Sequence, residues 1–209
     1  MYVPAHFAGE DEAVQELLYS RGAADLVTAT PEGLVATMLP FLYDRERSVL
    51  LGHLARNNEH WKLPVIGDAL VIMRGPDAYI SPTWYASKQE HGRVVPTWNY
   101  SAVHLSGTVE LVDDTDRLRE LVDRLTDLHE HDRPARWSVD DAPAAYVAGQ
   151  LKAIRGVLVR VDAVQGKAKL SQNRSVQDRA GVVDGLLADG DPEGVRVADA
   201  MARLGVDEA

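Results

Sequence analysis

Three short stretches hold polar and aromatic residues in combinations that are costly unless used. The first, Gly52-His53-Leu54-Ala55-Arg56-Asn57-Asn58, closes an apolar run with an imidazole, a guanidinium and two amides. Alone, it reads best as a polar strand end with a satisfied turn. The second, residues 79–100, gathers Trp84, Tyr85, Trp98 and Tyr100 around Pro82 and Pro96. Aromatics in loops can wall a pocket for a flat ligand or cover one end of a barrel. The third, residues 166–174, sets Lys167, Lys169 and Arg174 beside Ser171, Gln172 and Asn173. Cations interleaved with hydroxyl and amide donors suit a phosphate ester, with a solvated basic patch as the alternative. Cations at two places, aromatics at a third and no nucleophile motif favour holding a planar, phosphorylated cofactor over hydrolysis.

Composition narrows the chemistry further. The chain has 209 residues, a formal net charge of −10 and no cysteine. Disulfides, thiolate nucleophiles, iron–sulfur clusters and cysteine-type zinc sites are therefore excluded. Neither a G-x-G-x-x-G turn, a Walker-type lysine loop, an H-E-x-x-H helix nor a G-x-S-x-G elbow occurs. His129 and His131, two apart at a helix end, read as surface residues. His6, His53, His60, His91 and His104 are candidate ligands or proton donors, but none has a motif around it. The acidic balance argues against a general nucleic-acid coat. It is uneven, however: residues 113–141 and those after 177 carry much of the acid, whereas residues 151–174 are basic. No apolar run reaches the roughly 18 residues of a membrane span, and residues 1–9 do not read as a signal peptide, so a cytoplasmic protein is expected.

These residues need a scaffold, and the hydrophobic pattern outlines it. Residues 10–20 predict a helix, with Glu10, Asp11 and Glu12 in its first turn and Val14, Leu17 and Leu18 as its stripe. Residues 24–30 and 34–40 predict two strands joined by Pro31-Glu32-Gly33, a hairpin signal. Further strands are expected at 48–54, 69–74 and 78–81, the last two separated by a break at Gly75-Pro76-Asp77. A long stretch at 97–112 is interrupted at Gly107. Helices follow at 114–129 and 144–155, then a strand at 156–164. A helix opening at the capping-box sequence Ser175-Val176-Gln177-Asp178 runs to about 188, and a last helix covers about 193–204. The fold class is α+β: an antiparallel β core with helices at its ends and flanks.

Five phrases, MYVPAHF, GHLARNN, AYISPTWY, VPTWNY and KAKLSQNR, run in order from Met1 to Arg174. Together they resemble the PaiB family of FMN-binding negative transcriptional regulators, which is similar to the FMN-binding split-barrel flavoproteins. The resemblance implies a split-barrel domain over residues 1–174, with residues 175–209 as a C-terminal helical appendage packed on it. It also implies a homodimer with FMN at the subunit interface. His53, Ala55 and Arg56 would contact the cofactor, Arg56 at its phosphate. Met38 and Leu39 would offer backbone to the ring. Lys167, Lys169, Ser171 and Gln172 would lie at the phosphate or ring edge, and Trp84 and Trp98 would wall the pocket. The family pattern Asn-Pro-x-Trp is here Asn58-Glu59-His60-Trp61, a change expected to loosen the turn and add a charge near the phosphate. A DNA or regulatory-protein partner is the corresponding expectation. For DNA, the face with Lys152, Arg155, Arg160 and Lys167 is the one to look at, because acidic residues line the last two helices. The alternatives are a flavin-dependent oxidoreductase, a haem-binding or haem-degrading split barrel, and a dimeric interaction module with a decayed pocket.

Overall fold

A computed structural model describes residues 1–8, 11–20 and 22–204. In chain order the elements are α1 (Asp11–Leu18), β1 (Ala23–Thr30), β2 (Gly33–Pro40), β3 (Leu42–Asp44), β4 (Val49–Ala55) and β5 (Ile66–Ile80). They are followed by α2 (Ser87–His91), β6 (Thr97–Val112), α3 (Thr115–Glu130), α4 (Ala144–Ala153), β7 (Ile154–Lys169), α5 (Val176–Asp189) and α6 (Pro192–Leu204). The seven strands form one antiparallel sheet in the order β2-β1-β5-β6-β7-β4-β3, open between its two outer strands.

The hairpin of β1 and β2 forms where the turn signal predicts it. Gly33 takes a φ of +126°, and Thr30 holds the turn by donating to the Gly33 carbonyl at 2.9 Å while accepting from the Glu32 amide. Pairing then runs unbroken from Thr30 opposite Gly33 to Ala23 opposite Pro40. The predicted break at Gly75-Pro76-Asp77 does not occur: β5 is one continuous strand. Its far end carries Ala78 and Ile80 into the core, and that burial outweighs the local turn propensity. Gly107 likewise sits inside β6 without interrupting it. A Cβ there would fall 1.7 Å from the Arg160 carbonyl oxygen of β7, so glycine permits the close approach of two backbones. Strand β7 runs on to Lys169, which places Lys167 and Lys169 on a strand. Helix α4 stops at Ala153, because Ile154 is already extended. Strand β3 has only three residues, too few to show a period.

The chain divides into two compact units. One comprises Met1–Leu17, Arg74–Val103 and Gln165–Ala209. Its core joins Ile80, Tyr85 and Leu170 to Val182 and Leu186 of α5 and to Val197 and Met201 of α6. Ser175 caps α5, accepting from the Asp178 amide at 3.1 Å. The Asp178 carboxylate bonds the amide and hydroxyl of Ser87 rather than returning to the helix start, so no full capping box forms. The predicted first-turn residue Glu10 lies outside the described residues, as do the side chains of Asp11 and Glu12.

The other unit comprises Leu18–Met73 and His104–Val164. Here α3, capped by Asp114, presents Leu118, Leu121 and Leu125 as one buried stripe. Leu121 and Leu125 cover Val49 and Leu51, while Leu118 joins Val147 and Leu151 of α4. Each such leucine contributes about 1.5–3 kcal/mol of burial. A Cβ on Gly52 would press on Leu39 and Phe41, so the end of β2 folds over β4. The Gly107→Ala variant is expected to lose roughly 3 kcal/mol of stability from the forced separation of β6 and β7, read as a lower urea midpoint.

Candidate functional site: an arginine-lined cleft

Strand β4 is buried along most of its length and ends at exposed Ala55. The chain then turns sharply, and one side chain makes the turn rigid. Asn58 accepts from the His60 amide at 2.9 Å and so caps a short 3-10 turn, Glu59–Trp61. His60 points inward and is 1% exposed. Its Nε2 lies 2.8 Å from the Thr28 hydroxyl on β1, and its Nδ1 lies 2.8 Å from the Thr37 hydroxyl on β2. A neutral imidazole satisfies both contacts by donating from one nitrogen and accepting at the other. Burial lowers its pKa and keeps it neutral. Side-chain contacts of Asn58 and His60 hold this turn in the absence of the proline. Glu59 sits on the solvent side in an ion pair with Lys62, while His60 fastens the turn to two strands.

The pinned turn forms one side of a cleft of about 380 Å³ lined by Arg56, Asn57, Asn58, Trp61, Lys62 and Arg155. The Trp61 Nε1 is buried and has no hydrogen-bond partner. Such a donor costs about 1–3 kcal/mol unless a ligand or water meets it. Arg56 is held on three sides. It donates to the Lys152 carbonyl at 2.9 Å, to the Ile154 carbonyl at 3.0 Å and to Asp113 at 2.7 Å. Arg155 makes a two-pronged contact with the same Asp113, at 2.9 and 2.8 Å. The hydrogen bond from Arg155, and then that from Arg56, holds the Asp113 carboxyl below its usual range. Three cations against two carboxylates leave this corner net positive in an acidic protein.

Other expected site residues of this unit have different surroundings. His53 is half-buried on β4, and burial lowers its pKa. Leu39 is 2% exposed and packed in the core, with its backbone paired to Ala24; Met38 lies on the outer face of β2.

The remaining expected residues lie in the other unit. Lys169 donates to the Trp98 carbonyl at 2.7 Å and to the Thr97 hydroxyl, and desolvation lowers its pKa. Lys167 sits 5.2 Å from the centre of the Tyr100 ring and donates to the Tyr2 carbonyl. Trp98 is half-exposed, edge-on to Tyr79, with its Nε1 donating to Asp77. These five residues form a surface of aromatic rings and ammonium groups. Ser171 and Gln172 do not add donors to it. The Ser171 hydroxyl is buried against Asn99, and Gln172 spends its amide on the Ala168 carbonyl and the Leu170 amide. Trp84 packs against α5, where a Cβ on Gly185 would fall 2.3 Å from its indole, so it serves the core rather than a pocket wall.

Trp61, Lys62 and Arg155 line the cleft and Asp113 bonds its two arginines, and none of the four was among the expected cofactor contacts. Trp61 carried a signal, the tryptophan of the Asn-x-x-Trp phrase. The other three are joined to the site by the fold or by a neighbouring turn, with no motif of their own.

The fold defines the class first. The flavocytochrome Anf3 from Azotobacter vinelandii has a TM-score of 0.58, at 16% identity over 82% of this chain and 73% of its own. The FAD and heme binding protein from Mycobacterium smegmatis has a TM-score of 0.56, at 16% identity over 87% of this chain and 78% of its own. At such identities the likeness shows the fold alone: an α+β split barrel. Residues 1–163 match the profile of the family described as "Putative FMN-binding domain", and the chain belongs to that family. It is also 31% identical over 206 residues, covering 96% of each chain, to the protease synthase and sporulation protein PAI 2 of Bacillus subtilis (strain 168). The PaiB-like resemblance read from the five phrases is borne out.

Because burial lowers the pKa values of His53, His60 and His104, the unfolded chain binds protons that the folded chain refuses. Stability is full above the ordinary histidine value of about 6.5 and falls as pH drops from there toward the lowered folded values. Melting temperature should decline between neutral and mildly acidic pH, and less steeply in His60→Gln. At pH 8 that variant is expected to be less stable by roughly 1–3 kcal/mol through its imperfectly paired threonines.

Proposed function

We propose that this protein binds FMN as a homodimer, with the flavin phosphate in the Arg56–Arg155–Trp61 cleft, and acts as a negative regulator of transcription. The observation that carries the cofactor reading is a cleft lined by two guanidiniums, an ammonium and Trp61, whose buried Nε1 has no partner. Two arginines, a lysine and the side chains of Asn57 and Asn58 make a lining rich in N–H donors, suited to a phosphate monoester. The volume lies at the lower end for small-molecule sites, which suits one end of a ligand. Bound flavin would supply redox chemistry that a chain without cysteine lacks. Arg56, Arg155, Lys62 and Trp61 would hold the anionic end, while Asn57 and Asn58 shape the turn around it.

The dimer reading rests on β2, which lies at one edge of the sheet. Its outer face carries Leu34, 77% exposed, and Met38, 66% exposed, with Ala36 between them. An apolar row on an edge strand favours a partner over water.

The regulatory reading follows the family resemblance and the name of the Bacillus relative, which refers to protease synthesis and sporulation. Direct DNA contact has less support. Asp184, Asp189, Asp191, Glu193 and Asp199 lie on or between α5 and α6. The basic residues expected to face DNA are partly neutralised, Arg155 by Asp113 and Arg160 by Glu110. An effect through flavin state and a partner protein fits these charges better.

Purified protein is expected to bind FMN, read as a flavin absorption band and as fluorescence quenching on titration. Trp61→Phe keeps the ring but removes the orphan donor, and should weaken FMN by roughly 1.5–3 kcal/mol while sparing riboflavin. A colourless protein that quenches no flavin overturns the cofactor reading, and rapid turnover with NAD(P)H would move the function to an oxidoreductase. Leu34→Asp with Met38→Asp should convert the dimer to a monomer by light scattering.

A further inference from the structure

Asp113 lies just beyond the end of β6, and its carboxylate occupies the space between two guanidiniums. Its Oδ1 accepts from Arg56 at 2.7 Å and from Arg155 at 2.9 Å, and its Oδ2 accepts from Arg155 at 2.8 Å. Two arginines this close repel each other, and the shared carboxylate lets them stand side by side. Their other supports are unequal. Arg56 keeps two backbone carbonyls as anchors, whereas the side-chain hydrogen bonds of Arg155 among the described residues go to Asp113 alone. A guanidinium offers five N–H donors. These contacts leave donors on both arginines for an incoming anion, and both side chains line the cleft.

We propose that Asp113 is a positioning residue for the anion cleft: it holds Arg155 beside Arg56 so that both guanidiniums meet a single phosphate monoester. This role rests on the reading of the cleft as the flavin-phosphate site. It deepens that reading by assigning a carboxylate to a site whose ligand is itself an anion.

That choice gives the test its sign. A carboxylate near a bound phosphate repels it, so by charge alone the amide in its place should tighten binding. If Asp113 orients the pair, its loss frees Arg155 to swing away, and binding weakens despite the gain in positive charge. Asp113 is 49% exposed and lies at a strand end, so the substitution leaves the hydrophobic core intact.

The test compares FMN and riboflavin affinities by fluorescence quenching on the full chain at about 0.15 M salt, where surface charges act over roughly 8 Å. Riboflavin lacks the phosphate and reports the rest of the site. In Asp113→Asn the preference for FMN over riboflavin is expected to fall about tenfold, with riboflavin affinity unchanged. Asp113→Glu should recover part of the preference. An unchanged or increased preference in Asp113→Asn overturns the positioning role and leaves the phosphate cleft standing. An equal loss of both ligands also overturns it, since that marks general damage. A wild-type protein that binds FMN no better than riboflavin overturns the phosphate reading itself, and the role of Asp113 with it.

Discussion

The turn that walls the cleft depends on one buried imidazole. His60 contacts the hydroxyls of Thr28 and Thr37, on neighbouring strands of the hairpin, and so nails the turn after β4 to the sheet. A turn of three residues cannot hold Trp61 and Lys62 in place through its own backbone hydrogen bonds. The anchor succeeds because His60 is excluded from water, where an unpaired hydroxyl or ring nitrogen would be costly. The same exclusion keeps it uncharged, so the turn is fastened without placing another positive charge behind the cationic cleft.

Charge at the cleft is arranged with similar economy. Arg56 and Arg155 converge on Asp113, and Lys62 is matched by Glu59. The result is a modest positive corner whose donors are oriented by carboxylates and backbone carbonyls. An unbalanced cluster would attract anions more strongly, but it would hold its long side chains less well and lose more on ordering them. Fixed donors in a weakly positive setting favour a ligand of defined shape over any polyanion. This is consistent with a chain whose overall charge discourages nucleic acid.

Much of the scaffold was legible in advance. Helical periodicity located α1, α3 and α4, the capping sequence at Ser175 located α5, and alternation with the Pro31-Glu32-Gly33 turn located the first hairpin, because those signals are local. The misreadings have a common origin. Gly75-Pro76-Asp77 and Gly107 looked like breaks because glycine and proline usually mark turns. In β5 and β6 long-range pairing and burial decide instead, and Gly107 is where two backbones nearly touch. Ser171, Gln172 and Trp84 looked available for a ligand from their types alone. Their polar atoms and ring faces are taken up by Asn99, the 168–172 loop and α5.

By itself the sequence determined the α+β class, the family, the strand end at Arg56 and the basic character of residues 151–174. Each is written in neighbouring residues or in a phrase read along the chain. Only the tertiary structure decided which of the polar residues are free to act. Asp113 meets Arg56 across 57 positions, and His60 reaches Thr28 across 32. No periodicity or motif encodes such pairings. They follow from which strands lie side by side, and that in turn depends on how the whole chain buries its apolar surface.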